Sequence, residues 1–119
     1  VGSQADLIRR DPVWRAASAD PVRAGLTVRW RGESIERLDG SDGERFVPVP
    51  GAGAIVAMVL TGESAEQGGA LFVVSGVDAD AAAAAAATIV RNPTVLSARY
   101  AVIFDRGGTP MAAPGRAGP

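Results

Sequence analysis

Three reactive residue types are missing from this sequence, which contains no Cys, no His and no Lys. Their absence excludes thiol nucleophiles, disulfides, imidazole acid–base catalysis and the usual zinc ligands. Any proton transfer would have to use Asp, Glu, Tyr100 or water. We therefore expect no bound metal and no cofactor, and few side chains that titrate near neutral pH.

The sequence also lacks a strong charge of either sign and a long apolar run. Its 119 residues carry a formal net charge of −1, and 47% of them are apolar, which is typical of a folded globular domain. We expect no nucleic-acid partner, because binding a polyanion requires a concentrated basic face. We expect no membrane partner, since no stretch approaches the roughly 20 apolar residues of a span and the amino end is unlike a signal sequence.

The length predicts one domain over residues 1–106, followed by a flexible Gly/Pro/Ala tail over residues 107–119. All 12 basic residues are Arg, which is typical of a GC-rich bacterial genome. The chain begins with Val1 rather than Met, which favours a processed or trimmed form. We expect a soluble, cytoplasmic protein.

Helix start signals divide the amino-terminal part of the chain. Residues 3–10 predict a first helical segment, and the pair Asp11-Pro12 predicts the cap and first position of a second helix that ends near Ala19. Gly25 is placed to end the turn that follows. Residues 26–31 then alternate in polarity, which predicts a strand that buries one face.

A hairpin is expected after that strand. Gly32 predicts a bulge, residues 34–38 resume the extended pattern, and the turn cluster at residues 39–43 leads into a further strand at residues 45–47. Pro48 and Pro50 remove two backbone donors, so this part should lie at a sheet edge or in a loop.

The run of seven alanines at residues 81–87 has helix signals at both of its ends. Asp78 is placed to cap the helix and Asp80 to lie in its first turn, whereas Arg91, Asn92 and a proline follow at the other end. Alanine is the strongest helix former, and its small side chain lets a helix approach a sheet closely. The sequence therefore predicts a packed helix rather than a disordered spacer.

Two other segments, residues 54–61 and 70–75, are apolar on both faces, which is typical of strands that are covered on both sides. Residues 94–105 alternate as a further strand. Because the helices of so short a chain can cover only one face of the sheet, a second subunit is the simplest cover for the other face. We therefore expect a homodimer or a higher homo-oligomer.

Residues 69–104 read as a strand, an acidic turn, an Ala-rich helix, a residue pair ending in Pro and a strand. This order resembles the second half of a YCII-related domain, a member of the dimeric α/β-barrel (ferredoxin-like) group, and the junction at residues 14–26 is similar to the same pattern. The resemblance implies a ferredoxin-like fold and dimerisation. It implies fold and dimerisation much more than activity, because the family's proposed catalytic pair is a His with an Asp, whereas this chain has no His and carries Asn92 before the proline.

Arginine side chains are the first candidates for a binding site. Arg29 and Arg31 project from one side of a predicted strand and Arg99 from the polar side of another, so that three guanidinium groups could hold a carboxylate or phosphate if the strands are neighbours. The alternative is a solvated face, or ion pairs with Glu33, Glu36 and Asp105.

Aromatic side chains are the second candidates. Trp14, Trp30 and Tyr100 could line a flat pocket for an aromatic ligand; the alternative is that they belong to the core. The glycine-rich residues 50–54 precede a strand rather than a helix, which is wrong for a phosphate loop. The carboxylates at residues 39, 42 and 44 lack the spacing of a calcium loop.

We conclude that the fold class is α+β, an antiparallel sheet with helices packed on one face, of the dimeric α/β-barrel type. The favoured function is a non-catalytic assembly or accessory domain that pairs through its apolar sheet face. The alternative is a small-molecule-binding protein or a cofactor-independent enzyme, such as a cyclase, isomerase or monooxygenase-like protein, acting on an aromatic or anionic metabolite. In that case the arginines would orient the substrate and Tyr100 would donate to a developing oxyanion.

Overall fold

The computed structural model describes residues 1–39, 45–61, 69–96 and 101–112, and in this part of the chain the strands form two sheets. In chain order the elements are β1 (Gly2–Ser3), α1 (Gln4–Arg10), α2 (Pro12–Ala19), β2 (Val28–Arg31), β3 (Ser34–Asp39), β4 (Arg45–Pro48), β5 (Ala52–Thr61), β6 (Gly69–Gly76), α3 (Ala79–Arg91), a 3₁₀ helix (Pro93–Leu96), β7 (Ala101–Asp105) and β8 (Pro110–Ala112). The α+β class predicted from the sequence is confirmed.

The larger sheet has the strand order β1-β6-β5-β7-β8 and is mixed rather than antiparallel. Strand β1 pairs with β6 in parallel, through Gly2 and Ser3 only, whereas the other pairs are antiparallel. Strands β6 and β7 both run antiparallel to β5, so they are parallel to each other and α3 connects them across it. This arrangement is a split β-α-β unit.

The two faces of the larger sheet pack against different parts of the same chain. Alternate residues of β5 belong to different cores. Ile55 and Ala57 pack in a core with α1, α2 and the hairpin β2–β3. Ala54 and Val56 pack in a second core with α3. The prediction that all helices lie on one face is therefore wrong. The premise that a second subunit must cover the other face is wrong for the same reason.

The physical cause is the placement of the hairpin strands. Strands β2, β3 and β4 form a separate antiparallel sheet instead of joining the larger one, and this second layer buries Val28 and Ile35 against the core. The hairpin therefore covers part of the larger sheet, in addition to the area that the helices cover. Among the described residues, no helix is both long and apolar enough to cross a membrane.

The predicted helix ends are confirmed. Asp11 Oδ1 accepts hydrogen bonds from the backbone N–H groups of Val13 (3.0 Å) and Trp14 (3.2 Å), and Pro12 begins α2. Asp78 Oδ1 accepts from the N–H of Ala81 at 2.8 Å, and α3 ends at Arg91. The alanine run is thus a packed helix with three of its residues buried: Ala81, Ala82 and Ala85.

The hairpin predictions are confirmed with one correction. Gly32, at φ +63°, lies in the tight turn that joins β2 to β3, where Arg31 faces Ser34, so the predicted bulge is wrong. Strands β3 and β4 pair as expected, and the turn residues 40–44 between them lie outside the described residues. Pro48 ends β4 at the edge of its sheet, as the missing donors predicted.

The carboxyl-terminal part differs from the predicted strand over residues 94–105. Residues Pro93–Leu96 form a 3₁₀ helix, residues 97–100 lie outside the described residues, and only Ala101–Asp105 form β7. The sheet continues into the segment predicted to be a tail, because β8 pairs with β7. Residues 113–119 lie outside the described residues.

Candidate functional site

Arg29 and Arg31 lie on the same side of β2, as predicted, and both face a buried carboxylate. Arg29 Nε donates to Glu36 Oε1 at 2.7 Å, and Arg31 Nη1 lies 3.9 Å from Glu36 Oε2. The guanidinium of Arg29 also lies over the ring of Phe46, at 4.3 Å from the centroid. An ion pair with Glu36 is one of the interactions predicted from the sequence as the alternative to a ligand-binding site. Arg99 lies outside the described residues, so the convergence of three arginines stays a prediction.

The two tryptophans occupy different environments. Trp14 is fully buried in the core, and its Nε1 donates to Gln4 Oε1 at 2.7 Å. Trp30 is half-buried on β2, and its Nε1 donates to Oγ of the buried Ser75 at 2.8 Å, which links the second sheet to β6 of the larger sheet. Tyr100 lies outside the described residues. Of the two tryptophans, Trp30 is therefore the one that lies beside open space.

A groove runs beside Trp30 between the amino-terminal helices and the β2–β3 turn. Its wider part has a volume of about 330 Å³, and we call it the Trp30 groove; its lining residues are Gln4, Ile8, Arg15, Ser18, Ala19, Trp30 and Gly32. A smaller space of about 190 Å³ continues from it and shares Gln4, Trp30 and Gly32. Ala5, Glu33 and Val77 complete the lining of the smaller space. The wider part reaches the lower end of the size range of small-ligand sites.

Arg15 is held in place at one wall of the groove. Its Nε donates to the carbonyl oxygen of Ile8 at 2.7 Å, and its Nη2 donates to that of Arg9 at 2.8 Å. Both carbonyls belong to the last turn of α1, where a helix leaves its acceptors without backbone partners and favours a cation. The guanidinium of Arg15 therefore links α2 to α1 in a fixed position. Its third nitrogen, Nη1, makes neither of these two hydrogen bonds.

Ser18 supplies a polar group without a partner. Its Oγ is buried and, among the described residues, has no hydrogen bond. A buried hydroxyl without a partner costs about 1–3 kcal/mol, and most buried polar atoms in proteins are paired. Ser18 lies three residues after Arg15 on α2, so the two side chains share one face of the helix. The groove thus presents a fixed cation and an indole, whereas the unpaired hydroxyl of Ser18 is buried.

Gln4, Arg15 and Ser18 were not identified from the sequence. The Asp11-Pro12 signal predicted α2, and the spacing of residues 15 and 18 places them on one face of it. The fact that the β2–β3 turn lies opposite that face depends on tertiary packing, which no local pattern encodes.

Metal binding and relationship to known proteins give no further assignment. In the described ranges no group of three or more acidic side chains comes together as a metal site. Comparisons with protein-family models, curated proteins and solved structures gave no match to the chain. The groove beside Trp30 is therefore the feature on which a candidate function rests.

Proposed function

We propose that this chain is a non-catalytic domain that binds a small molecule in the Trp30 groove. The observation that carries the proposal is a groove of about 330 Å³ whose lining combines the half-buried Trp30 with Arg15, a cation that two backbone carbonyls hold in place. The indole and the apolar side chains of Ile8 and Ala19 supply the surface on which a flat ring could lie.

The side chains that line the groove support a non-catalytic role. The chain has no His, Cys or Lys. Arg15 is engaged with two backbone carbonyls and does not give up its proton in proteins. Ser18 has no base as a hydrogen-bond partner among the described residues, so its hydroxyl is not activated as a nucleophile.

The two indole N–H groups provide a direct test, because the chain contains two tryptophans. We expect a nitrogen–proton correlation spectrum to show two indole signals, one of which is lost in Trp30→Phe. Three ring-matched probes are titrated: 2-naphthoate, 2-naphthamide and 2-naphthylmethylamine. With about 13 non-hydrogen atoms at about 0.3 kcal/mol each, a bound probe should have a Kd of about 1 mM. The Trp30 signal should move and saturate with at least one of them.

The buried Trp14 indole serves as the internal control, since it lies in the core and should move less than Trp30. A second control is Val22→Ala, an exposed position outside the groove lining, which should bind the same probe unchanged. Failure of all three probes to move the Trp30 signal at about 10 mM would contradict the proposed function, because that concentration exceeds the expected Kd about tenfold.

We further propose that residues 69–104 are related to the dimeric α/β-barrel (ferredoxin-like) group. Support comes from the split β-α-β unit made by β6, α3 and β7, with β5 between the two strands. The amino-terminal half, with two short helices and a three-stranded sheet, departs from that group's order. Dimerisation is a property of that group that can be measured.

A second candidate function is self-assembly through the open edge of β6. Strand β1 pairs only with Ser75 and Gly76, so in the described part of the chain residues 69–74 have no partner on that side. Two large apolar side chains of this segment are exposed, Leu71 by 37% and Phe72 by 45%. An exposed apolar strand edge is a template for pairing with another strand.

The other sheet edges carry the features that discourage such pairing. Strand β4 contains Pro48 and Arg45, β8 contains Pro110, and β2 carries Arg29 and Arg31. By contrast, β6 has neither a charged residue nor a proline over Gly69–Gly76. Two copies could therefore pair antiparallel about a two-fold axis without opposing like charges.

Phe72→Lys should convert a dimer into a monomer. The substitution places a charge on the proposed edge in place of an apolar side chain, and two copies would bring two such charges into the same interface. Sedimentation velocity should show a dimer for the unmodified chain and at least about tenfold weaker association for the variant. The control is Val90→Lys, which adds the same charge on α3 at a residue that is 79% exposed and should remain dimeric. A monomeric unmodified chain at about 100 μM would remove this candidate.

A further inference from the structure

We infer that two copies of this chain join through β6 in one fixed register, in which Leu71 lies opposite Leu71 of the partner subunit and Phe72 lies opposite its Ala70. This inference rests on the second candidate function, self-assembly through β6, and adds the hydrogen bonds that join the two strands. The occupant of the β6 edge is therefore a second β6 strand, antiparallel to the first about a two-fold axis.

One hydrogen bond fixes the direction of the backbone groups along β6. The N–H of Val77 donates to the carbonyl oxygen of Gly53 at 2.8 Å, which extends the register in which Gly76 faces Ala54. In an antiparallel pair, hydrogen-bonded and non-hydrogen-bonded residue pairs alternate along the strands. Odd-numbered residues of β6 therefore direct their N–H and C=O groups toward β5, and even-numbered residues direct theirs toward the other edge.

Ala70 and Phe72 are the even-numbered residues of β6 that have no strand beside them in the described part of the chain. Strand β1 lies beside the other end of β6, where Gly2 faces Ser75. In a parallel pair the two neighbours of the facing residue bond to the partner strand, so residues 74 and 76 face β1. The N–H and C=O groups of Ala70 and Phe72 are thus the ones open to a new strand.

These free groups select the register. When Phe72 faces Ala70 of the partner subunit, the two residues exchange both of their hydrogen bonds, and the two-fold axis repeats the exchange, so that every free group is paired. With Phe72 facing Phe72 of the partner subunit, a second Gly69 would lie opposite Ser75, where Gly2 already lies. A shift the other way would move Phe72 past Gly69, where the described strand begins.

The side chains favour the same register. Leu71 and Phe72 are both large, apolar and exposed, and as neighbours in a strand they point to opposite faces of the sheet. The two Leu71 residues become a non-hydrogen-bonded pair, the kind in which facing side chains are closer. Because β6 contains no charged residue and no proline, nothing in the strand opposes this contact.

Introduced cysteines test the register, because the chain contains none of its own. The two Leu71 Cα atoms should lie about 4.5 Å apart, within the range of a disulfide, and the two Phe72 Cα atoms about 8–9 Å apart, beyond it. Oxidised glutathione takes up the two electrons and two protons of each thiol pair. At about 100 μM, Leu71→Cys should give at least about tenfold more covalent dimer than Phe72→Cys, because facing thiols have effective concentrations in the mM range.

Val90→Cys is the control for chance collisions, since Val90 is exposed on α3, and it should cross-link as little as Phe72→Cys. Sedimentation velocity under reducing conditions checks that each variant still associates. More cross-linking in Phe72→Cys than in Leu71→Cys, or equal cross-linking in all three, would overturn the register in a chain that still dimerises. A monomeric unmodified chain would instead remove self-assembly and the register together.

Amide hydrogen exchange of the unmodified chain gives an independent test that needs no substitution. The N–H of Leu71 points to β5 and should exchange slowly at every protein concentration, whereas that of Phe72 is free in the monomer. When about nine in ten chains are dimeric, exchange at Phe72 should be slowed about tenfold, because it then occurs from the remaining monomer. Exchange at Phe72 that is equally fast in monomer and dimer would contradict the inference.

Discussion

Replacing Gly108 with Ala is expected to lower the free energy of unfolding by at least about 3 kcal/mol, as the sum of backbone strain and overpacking. Gly108 has φ +85°, a conformation that side chains with a Cβ rarely adopt. A Cβ built there would lie 2.7 Å from the carbonyl carbon of Ala84 and 3.0 Å from Thr88 Oγ1. The added methyl group would therefore separate the β7–β8 turn from α3.

Gly32→Ala is the matched control for Gly108→Ala. Gly32 also has a positive φ, +63°, but a Cβ there meets no described atom within 4 Å. It should cost about 1 kcal/mol, the strain alone. Urea unfolding of both variants measures the difference. Equal losses would mean that the β7–β8 turn does not lie on α3, contrary to the hydrogen bond of 2.6 Å from Thr88 Oγ1 to the carbonyl oxygen of Gly108.

Ala82→Leu is the second substitution with a large expected effect, a loss of at least about 2 kcal/mol. Ala82 is fully buried, and its backbone N lies only 2.5 Å from the position that a Cβ on Gly76 would take. The helix thus rests directly on the end of β6. Because Ala82 itself is fully buried, a larger side chain there must displace the helix or strain its own rotamer.

The control for Ala82→Leu is Ala83→Leu, the next residue along the same helix, which is exposed. Because leucine is nearly as good a helix former as alanine, this change should alter the free energy of unfolding by no more than about 0.5 kcal/mol. Thermal or urea unfolding distinguishes the two. Similar losses at both positions would show that helix propensity, rather than contact with the sheet, determines the effect.

The helices could be predicted well from the sequence because their ends depend on local interactions. Caps and stop signals act within a few residues, so Asp11 and Asp78 could be assigned from the chain alone and accept the expected hydrogen bonds. The small side chains of the alanine run likewise implied a close approach, which the contact between Ala82 and Gly76 realises.

The arrangement of layers could not be predicted in the same way. Alternation in residues 26–31 indicates a strand with one buried face, but it does not say which sheet the strand joins. The tight turn at Gly32 pairs β2 with β3 alone, so the hairpin becomes a second layer over Ile55 and Ala57. For this reason the prediction that the chain covers only one face of the larger sheet was wrong.

The candidate site was predicted only in part, for a similar reason. Trp30 could be singled out because it is one of few aromatic residues. Arg15 and Ser18 carry no motif, and their significance depends on the carbonyls of Ile8 and Arg9 and on the nearby β2–β3 turn. A polar atom without a partner becomes visible only in three dimensions.

The most direct test of the proposed binding site is to locate a bound probe by intermolecular nuclear Overhauser effects. With 2-naphthoate at saturation, the ring protons should show contacts to the Trp30 indole and to the side-chain methyl groups of Ile8, both of which line the groove. Contacts confined to the exposed side chains of Leu71 and Phe72 on β6, with none to Trp30, would contradict the account.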